Sequence, residues 1–296
     1  MAGHGTMERA KQKTAWKFLS PTLLVLTVVV FIPLLISFAL SFSDWKYLEY
    51  GSKPVFVGLQ NYIDIFNNRN DMDSLYITMR YMALTVALEV ILGFVVALLL
   101  NKNFKGRGIF RTTTILPFML AEVVVSLMWR FMFQADNGVL NFLLRKLGMA
   151  PKIWIDANNA FSSIVLVEVW QHTPFAILIF MAALSSVSPA LVEASKIDGA
   201  SYCRRLWHVI LPEIKPQILV VITFRVMFTL RVFTQPYVLT GGGPADLTRV
   251  VGINIFQKAF RYYDLGMANA LSWILIMITL VIVILLSLAG RKEDTT

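Results

Sequence analysis

The sequence predicts an all-α polytopic membrane protein, a helix bundle with six transmembrane helices arranged as one N-terminal helix and a core of five. Three observations lead there. Apolar residues make up 57% of the 296 residues, and the mean hydropathy is +0.65, more than a single soluble core of this length accommodates. Charged residues are 15% and gather in short stretches between long apolar runs. Six of those runs reach the roughly 20 residues that carry a helix across a bilayer.

The six runs lie at about 18–42, 78–100, 112–133, 161–184, 217–239 and 267–289. The first is long for the core of a signal peptide and has no clear small-residue cleavage site before Asp44, so it is predicted to be retained. Basic residues set the direction of the spans. The regions on the N-terminal side of the membrane hold 14 Lys and Arg against 6 acids, including Arg9, Lys102, Arg111, Lys196, Arg204 and Arg291. The opposite loops hold 9 of each sign. The spans hold Arg80, Arg130, Arg225 and Arg231 against Glu89, Glu122 and Glu168. Both termini are therefore predicted to be cytoplasmic, in a bacterial cytoplasmic membrane. The net charge of +9 follows from topology and does not call for a nucleic-acid partner.

Residues 1–77 form the tail, first span and first outer loop in this reading, and 78–296 form the core. Gly51 and Pro54 signal turns in the first outer loop. In the second, Asn137-Gly138 introduces a short amphipathic helix over Val139 to Leu144. The third opens on Gly241-Gly242-Gly243-Pro244, read as a flexible turn. After it, Val250, Ile253, Phe256 and Phe260 recur at helical spacing, which predicts a helix lying at the outer surface. Pro33, Pro117, Pro174 and Pro236 fall within spans, where each removes a backbone donor and bends or breaks a helix.

The inner loop 185–216 carries the most information. Ser188 is placed to cap a helix with Pro189 at its first position. Good helix formers run from Ala190 to Asp198, and Gly199 suits a left-handed stop. Ser201 is placed to cap a second helix through Val209, closing at Leu211-Pro212. The result is a compact helical knob suited to a groove on a partner.

Glu193-Ala194-Ser195-Lys196-Ile197-Asp198-Gly199, followed by Ile210-Leu211-Pro212, resembles the EAA loop of binding-protein-dependent ABC importer permeases. That family pattern runs E-A-A, a glycine after three intervening residues, and then I-x-L-P. Ser195 stands where the third motif position is alanine. Phe56-Val57-Gly58-Leu59-Gln60-Asn61-Tyr62, Gly138-Val139-Leu140-Asn141 and Leu239-Thr240-Gly241-Gly242-Gly243-Pro244 are similar to the carbohydrate subgroup. The resemblance covers nearly the whole chain. It implies that Glu193, Ala194, Asp198, Gly199, Leu211 and Pro212 couple the chain to a separate ATPase. It also implies a second homologous permease in a heterodimer, two ATPase subunits that use ATP and Mg, and an extracytoplasmic sugar-binding protein. The chain itself would bind no cofactor and would be no enzyme. Consistent with this, it has no G-x-x-x-x-G-K-[ST] phosphate loop, and its single cysteine, Cys203, forms no internal disulfide or cysteine metal site.

Polar groups within spans mark the candidate solute path, because a charge at mid-bilayer normally faces protein or water. Glu122, His172 and Arg225 fall near mid-depth, and Glu168, Arg231 and Gln235 fall in the outer half. Glu168, Gln171 and His172 share a helix face by their i, i+3, i+4 spacing. Trp129 and Trp273 lie at outer depth and offer aromatic faces to a sugar ring. The competing arrangement is that these acids and arginines pair among themselves. An ion-gradient transporter using Glu89, Glu122 and Glu168 as proton sites is the alternative function, and a membrane enzyme built on Glu168 and His172 is a weaker one.

Topology is open to direct test. In a Cys203→Ser background, an impermeant thiol reagent is expected to label Asp64→Cys from outside sealed cells and to miss Arg107→Cys. Labelling at 107 reverses the orientation.

Overall fold

A computed structural model describes residues 16–48, 52–102 and 104–291. The basic residues Arg9, Lys11 and Lys13, the turn signal Gly51, and Lys292 lie outside them. The chain divides into two compact units, residues 1–67 with 255–274, and residues 68–254 with 275–296.

In the smaller unit, α1 (Trp16–Ser41) is the first span. Its most apolar window has a mean hydropathy of 2.9 and none of it is buried within the chain. Pro33 stands just after a wide turn of this helix at Thr27–Phe31, and the winding continues. A two-residue hairpin follows, β1 (Ser43–Asp44) antiparallel to β2 (Val55–Phe56), then α2 (Gln60–Asn67). A helix end leaves carbonyls without partners. Here Asn61 Nδ2 donates to the carbonyls of Ser41 and Ser43, each at 2.9 Å. Trp273 belongs to this unit and packs edge-on against Phe38 at 4.8 Å.

The larger unit is built on α3 (Arg69–Leu100) and α7 (Ala160–Ser186). Asn68 caps α3 by accepting from the amide of Asn70 at 2.9 Å. The two helices approach closely at Gly93, where an added Cβ would lie 2.6 Å from the Ala176 Cβ. Small residues at such a crossing admit the backbone contact that packs helices in lipid. Pro174 lies inside α7, which stays continuous.

Two of the six predicted spans are broken. α4 (Arg107–Ile115) runs into a tight turn at Leu116–Met119, and α5 (Glu122–Met132) then leaves at 99°. Pro117 has no N–H to continue the ladder, and Leu120 is extended (φ −82°, ψ 144°). α10 (Lys215–Thr229) and α11 (Thr234–Thr240) are bent by 50°, with Pro236 in the first turn of α11, where no internal donor is needed. Among the described residues, four unbroken helices are long and apolar enough to cross a membrane, and each bent pair counted as one crossing makes six.

The outer-loop helix α6 (Val139–Lys146) forms as the sequence predicts. Asn141 organises its surroundings, donating to the carbonyls of Ala135 and Lys152 and accepting from Trp154 Nε1. The glycine turn differs from expectation. Gly241 and Gly242 take positive φ, but the Thr240 and Thr248 hydroxyls meet at 2.6 Å and Thr248 donates to the Gly243 carbonyl at 2.8 Å, so the turn is pinned. The helix after it, α12 (Val251–Phe256), also departs from the surface-lying expectation. Val250, Val251 and Ile253 are buried, and Asn254 Nδ2 donates to Asp71 and Ser74 of α3. Helical spacing of apolar residues does not distinguish a face turned to protein from one turned to lipid. The last span is α13 (Leu265–Arg291).

Gly93→Val is expected to force α3 and α7 apart and cost about 1–3 kcal/mol, read as a lower melting temperature of the purified protein. Adding Ala176→Gly should recover part of the loss. No effect of Gly93→Val would show that the crossing is not tight.

Candidate functional site

Four ionisable side chains from three helices meet inside the larger unit. Arg225 on α10 is 2% exposed and Glu89 on α3 and Glu168 on α7 are buried. The Arg225 guanidinium donates from Nε to Glu89 at 2.5 Å and from Nη2 to Glu89 at 2.9 Å and to Glu168 at 2.6 Å. His172 Nδ1 lies 3.1 Å from the Glu168 carboxylate. Tyr81 donates to Glu168 at 3.2 Å, and Thr229 lies 3.3 Å from Nη2. The planar guanidinium fork suits two carboxylates at once. A buried charge left without a partner is costly, and this hub gives each one a hydrogen-bonded counter-charge.

Glu89, Glu168 and His172 have ligand atoms within 4.8 Å of one another. Their donor set would suit a divalent cation, but the Arg225 guanidinium is bonded to both carboxylates. The hub thus supplies its own cation, and a metal would have to displace it.

Beside the hub lies a cavity of about 510 Å³. Its walls come from both helix breaks and from one face of α7. Glu122, Glu168, Gln171, His172, Arg225 and Arg231 line it, together with Phe118, Phe175 and Phe228. Six of the nine residues predicted for the solute path thus line one cavity. Gln235 is buried behind the lining and bonded to Gln171. Two expectations need correction. Trp129 is turned into a cluster with Phe133 and Trp170, and Trp273 packs on Phe38 in the smaller unit, so neither lines the cavity. Depth along a span places a side chain in the bilayer but leaves its rotation about the helix axis open, and both indoles turn toward apolar partners. The aromatic walls are phenylalanines instead. The i, i+4, i+7 run of Glu168, His172 and Phe175 was the available signal for one of them. Among the acids and arginines, pairing is partial. Arg225 is paired, Arg130 donates to the Val238 carbonyl at 3.2 Å, and Arg231 has no carboxylate partner among the described residues.

The inner loop folds into the predicted knob, with differences at its ends. α8 (Pro189–Ile197) is followed by Gly199 at φ +75°. The Gly199 and Ala200 amides return to the carbonyls of Lys196 and Ser195, each at 3.0 Å. Ser188 precedes α8 but its side chain makes no capping bond. Ser195 is buried and donates to the Val192 carbonyl at 2.7 Å, so its hydroxyl is satisfied where the motif has a methyl. Ser201 does cap α9 (Tyr202–Arg205), accepting from the Arg204 amide at 3.4 Å. Leu211-Pro212 does not end the second helix. The winding widens over Leu206–Ile210 and continues through Glu213, because Pro212 has no N–H for the His208 carbonyl. Glu193, Ala194, Asp198 and Pro212 are exposed and Leu211 is half-buried. Ile197 is 87% and Trp207 68% exposed on the same knob.

Membrane-length helices, broken on either side of a polar cavity and joined by a capped knob outside the bundle, define a subunit that passes solute across a bilayer rather than one that transforms it. The chain belongs to the family of binding-protein-dependent transport system inner membrane components, whose model matches residues 89–292. It is 34% identical over 284 residues to the trehalose/maltose transport system permease protein MalF of Thermococcus litoralis, covering 94% of each chain. It is 33% identical to a probable ABC transporter permease protein of Sinorhizobium fredii (93% and 89% covered), and 29% to the sulfoquinovosyl glycerol transport system permease protein SmoG of Agrobacterium fabrum (93% and 90%). The fold matches a chain of a bacterial ABC transporter involved in the import of the acidic polysaccharide alginate, with a TM-score of 0.85, 20% identity and coverage of 98% and 99%. The protein is an inner-membrane permease subunit of an ABC importer and is not itself catalytic. Family membership overturns the proton-site alternative, and Glu89 and Glu168 share the Arg225 guanidinium instead.

Removing one member of a buried ion pair costs roughly 3–5 kcal/mol. Arg225→Ala is accordingly expected to abolish a sharp melting transition or lower it steeply. The uncharged set Arg225→Met, Glu89→Gln, Glu168→Gln should recover most of the stability. Equal stability of Arg225→Ala and wild type would rule out the hub as a structural centre.

Proposed function

We propose that the chain is one permease of a heterodimeric importer for a neutral sugar or glycoside, and that the 510 Å³ cavity is its part of the solute path. That cavity is the observation that carries the reading. Its walls combine phenylalanine faces with an amide, an imidazole and charged groups, the mixture that a ring with hydroxyls requires. The charges in its lining balance, Glu122 and Glu168 against Arg225 and Arg231, which favours a neutral solute over an anionic one. The names of relatives support a carbohydrate, with trehalose and maltose for one and starch degradation products for another.

An extracytoplasmic sugar-binding protein delivers the solute in this proposal, and two ATPase subunits hydrolyse ATP with Mg. Glu193, Ala194, Asp198, Gly199, Leu211 and Pro212 form the coupling surface. The support is geometric. The knob is held in one shape by its own caps, and it exposes Ile197 and Trp207, apolar side chains that a groove would cover. Both termini lie in the cytoplasm, as the excess of basic residues on that side of the sequence favours.

Gly199 provides the test. A Cβ there would have nothing within 4 Å, so a substitution acts through φ alone, at a cost on the order of 1 kcal/mol or more. Gly199→Val is expected to lower sugar-stimulated ATP hydrolysis of the reconstituted importer and to loosen ATPase assembly, while membrane insertion is kept. Gly199→Asn, which tolerates positive φ, should be milder. Wild-type assembly and coupled hydrolysis in the Val variant would refute the coupling role.

A further inference from the structure

Both helix breaks that bound the cavity are tied to a single side chain. Gln171 Nε2 donates to the Leu120 carbonyl at 3.0 Å, at the corner between α4 and α5. Gln171 Oε1 accepts from Gln235 Nε2 at 2.6 Å, in the first turn of α11 beyond the second break. Gln171 is 2% and Gln235 1% exposed.

Neither corner has a side-chain cap of its own, with Ala121 and Phe233 at the cap positions of α5 and α11. The first intrahelical acceptor of α5 is the Ala121 carbonyl, to which the Val125 amide donates. The Leu120 carbonyl is thus outside the ladder and takes its donor from Gln171. The polarity of the chain of bonds is fixed by that carbonyl, which only accepts. Gln171 must present its NH₂ to Leu120 and its oxygen to Gln235, and Gln235 must present its NH₂. An amide engaged this way does not turn to meet a solute without releasing a corner.

We propose that Gln171 is a positioning residue of the transport cycle, bracing both broken spans against the continuous helix α7 and so setting the width of the cavity. The proposal rests on the cavity being the solute path. Its neighbours on α7 divide the work. Glu168 holds α10 through Arg225 below the second break, Gln171 holds α11 above it, and His172 is left facing the cavity. The four residues between, 230–233, carry Arg231 on a segment fixed at both ends.

The test uses the full reconstituted importer with Cys203→Ser. Spin labels at exposed Leu166 of α7 are paired with one at Val123 of α5 or at Tyr237 of α11. Gln171→Ala is expected to broaden both distances and to lower transport about tenfold, the effect of leaving buried polar groups unpaired. Gln235→Ala should broaden the 166–237 distance only. Read at a pH where its carboxyl is ionised, Gln171→Glu keeps the acceptor for Gln235 but loses the donor to Leu120, so it should broaden 166–123 only. This variant also decides the matter if Gln171→Ala does not assemble. The Gln171→Ala, Gln235→Ala double variant should transport no worse than Gln171→Ala. Narrow distances in the Ala or Glu variants, whether sugar affinity falls or stays at wild type, would overturn the brace, and so would additive losses in the double variant. A wild-type importer that moves no neutral sugar, yet shows this label pattern, would sink the sugar reading and leave the brace standing.

Discussion

Everything in the larger unit is organised around the burial of one guanidinium. Arg225 cannot sit in a helix bundle without compensation, and its position obliges α3 and α7 to bring Glu89 and Glu168 to it. Well-packed apolar residues in place of a buried ion pair are often as stable or more so. What the hub does supply is register. A fork bonded to two carboxylates on two helices admits one rotation and one height of each, where leucine against leucine admits several. The Gly93–Ala176 crossing then brings α3 and α7 close enough for the acids to share the cation.

Beyond that fixed region the helices break. Non-helical backbone at membrane depth is tolerated where it is covered by protein or lines a cavity, because its free amides and carbonyls then find partners. Leu120 illustrates the rule, since its carbonyl leaves the α4–α5 ladder and is met by a side chain of α7. Gly252 packs beneath the second break, where an added Cβ would lie 2.5 Å from the Val232 carbonyl. The cavity exists because two helices break beside a third that stays continuous despite Pro174.

The spans were legible in the sequence because apolar run length is a one-dimensional property, and the charge of the loops likewise. The knob was legible because caps and a left-handed glycine act within four residues, and Gly199 and Ser201 behave as read. Ser188 shows the limit, since a good capping residue at the right place still leaves its hydroxyl unused. The breaks were half legible. Pro117 and Pro236 mark them, while Pro33 and Pro174 sit in continuous helices, and sequence does not say which missing donor is absorbed. The site was legible in its membership more than in its roles. Glu168, Gln171, His172, Arg225 and Arg231 stand out as polar residues in apolar runs. That Arg225 is held by an ion pair depends on Glu89, 136 residues away. Trp129 and Trp273 were misplaced because rotation about a helix axis is set by packing partners.

The hub also imposes an order on synthesis. The acids at 89 and 168 leave the ribosome before the arginine at 225, so for a time the membrane holds two carboxylates without the guanidinium that joins them. A charge in a lone helix costs at least about 2.5–3.5 kcal/mol on insertion scales. α7 is the least able to bear it, with a mean hydropathy of 1.6 in its best window against 2.7 for α3. Until α10 arrives, Glu168 therefore offsets more of the hydrophobicity of α7 than Glu89 does of α3. Shelter for that helix against α3, or in the insertion machinery, would lower the cost until Arg225 is in place, and a chain cut short before α10 never receives that partner.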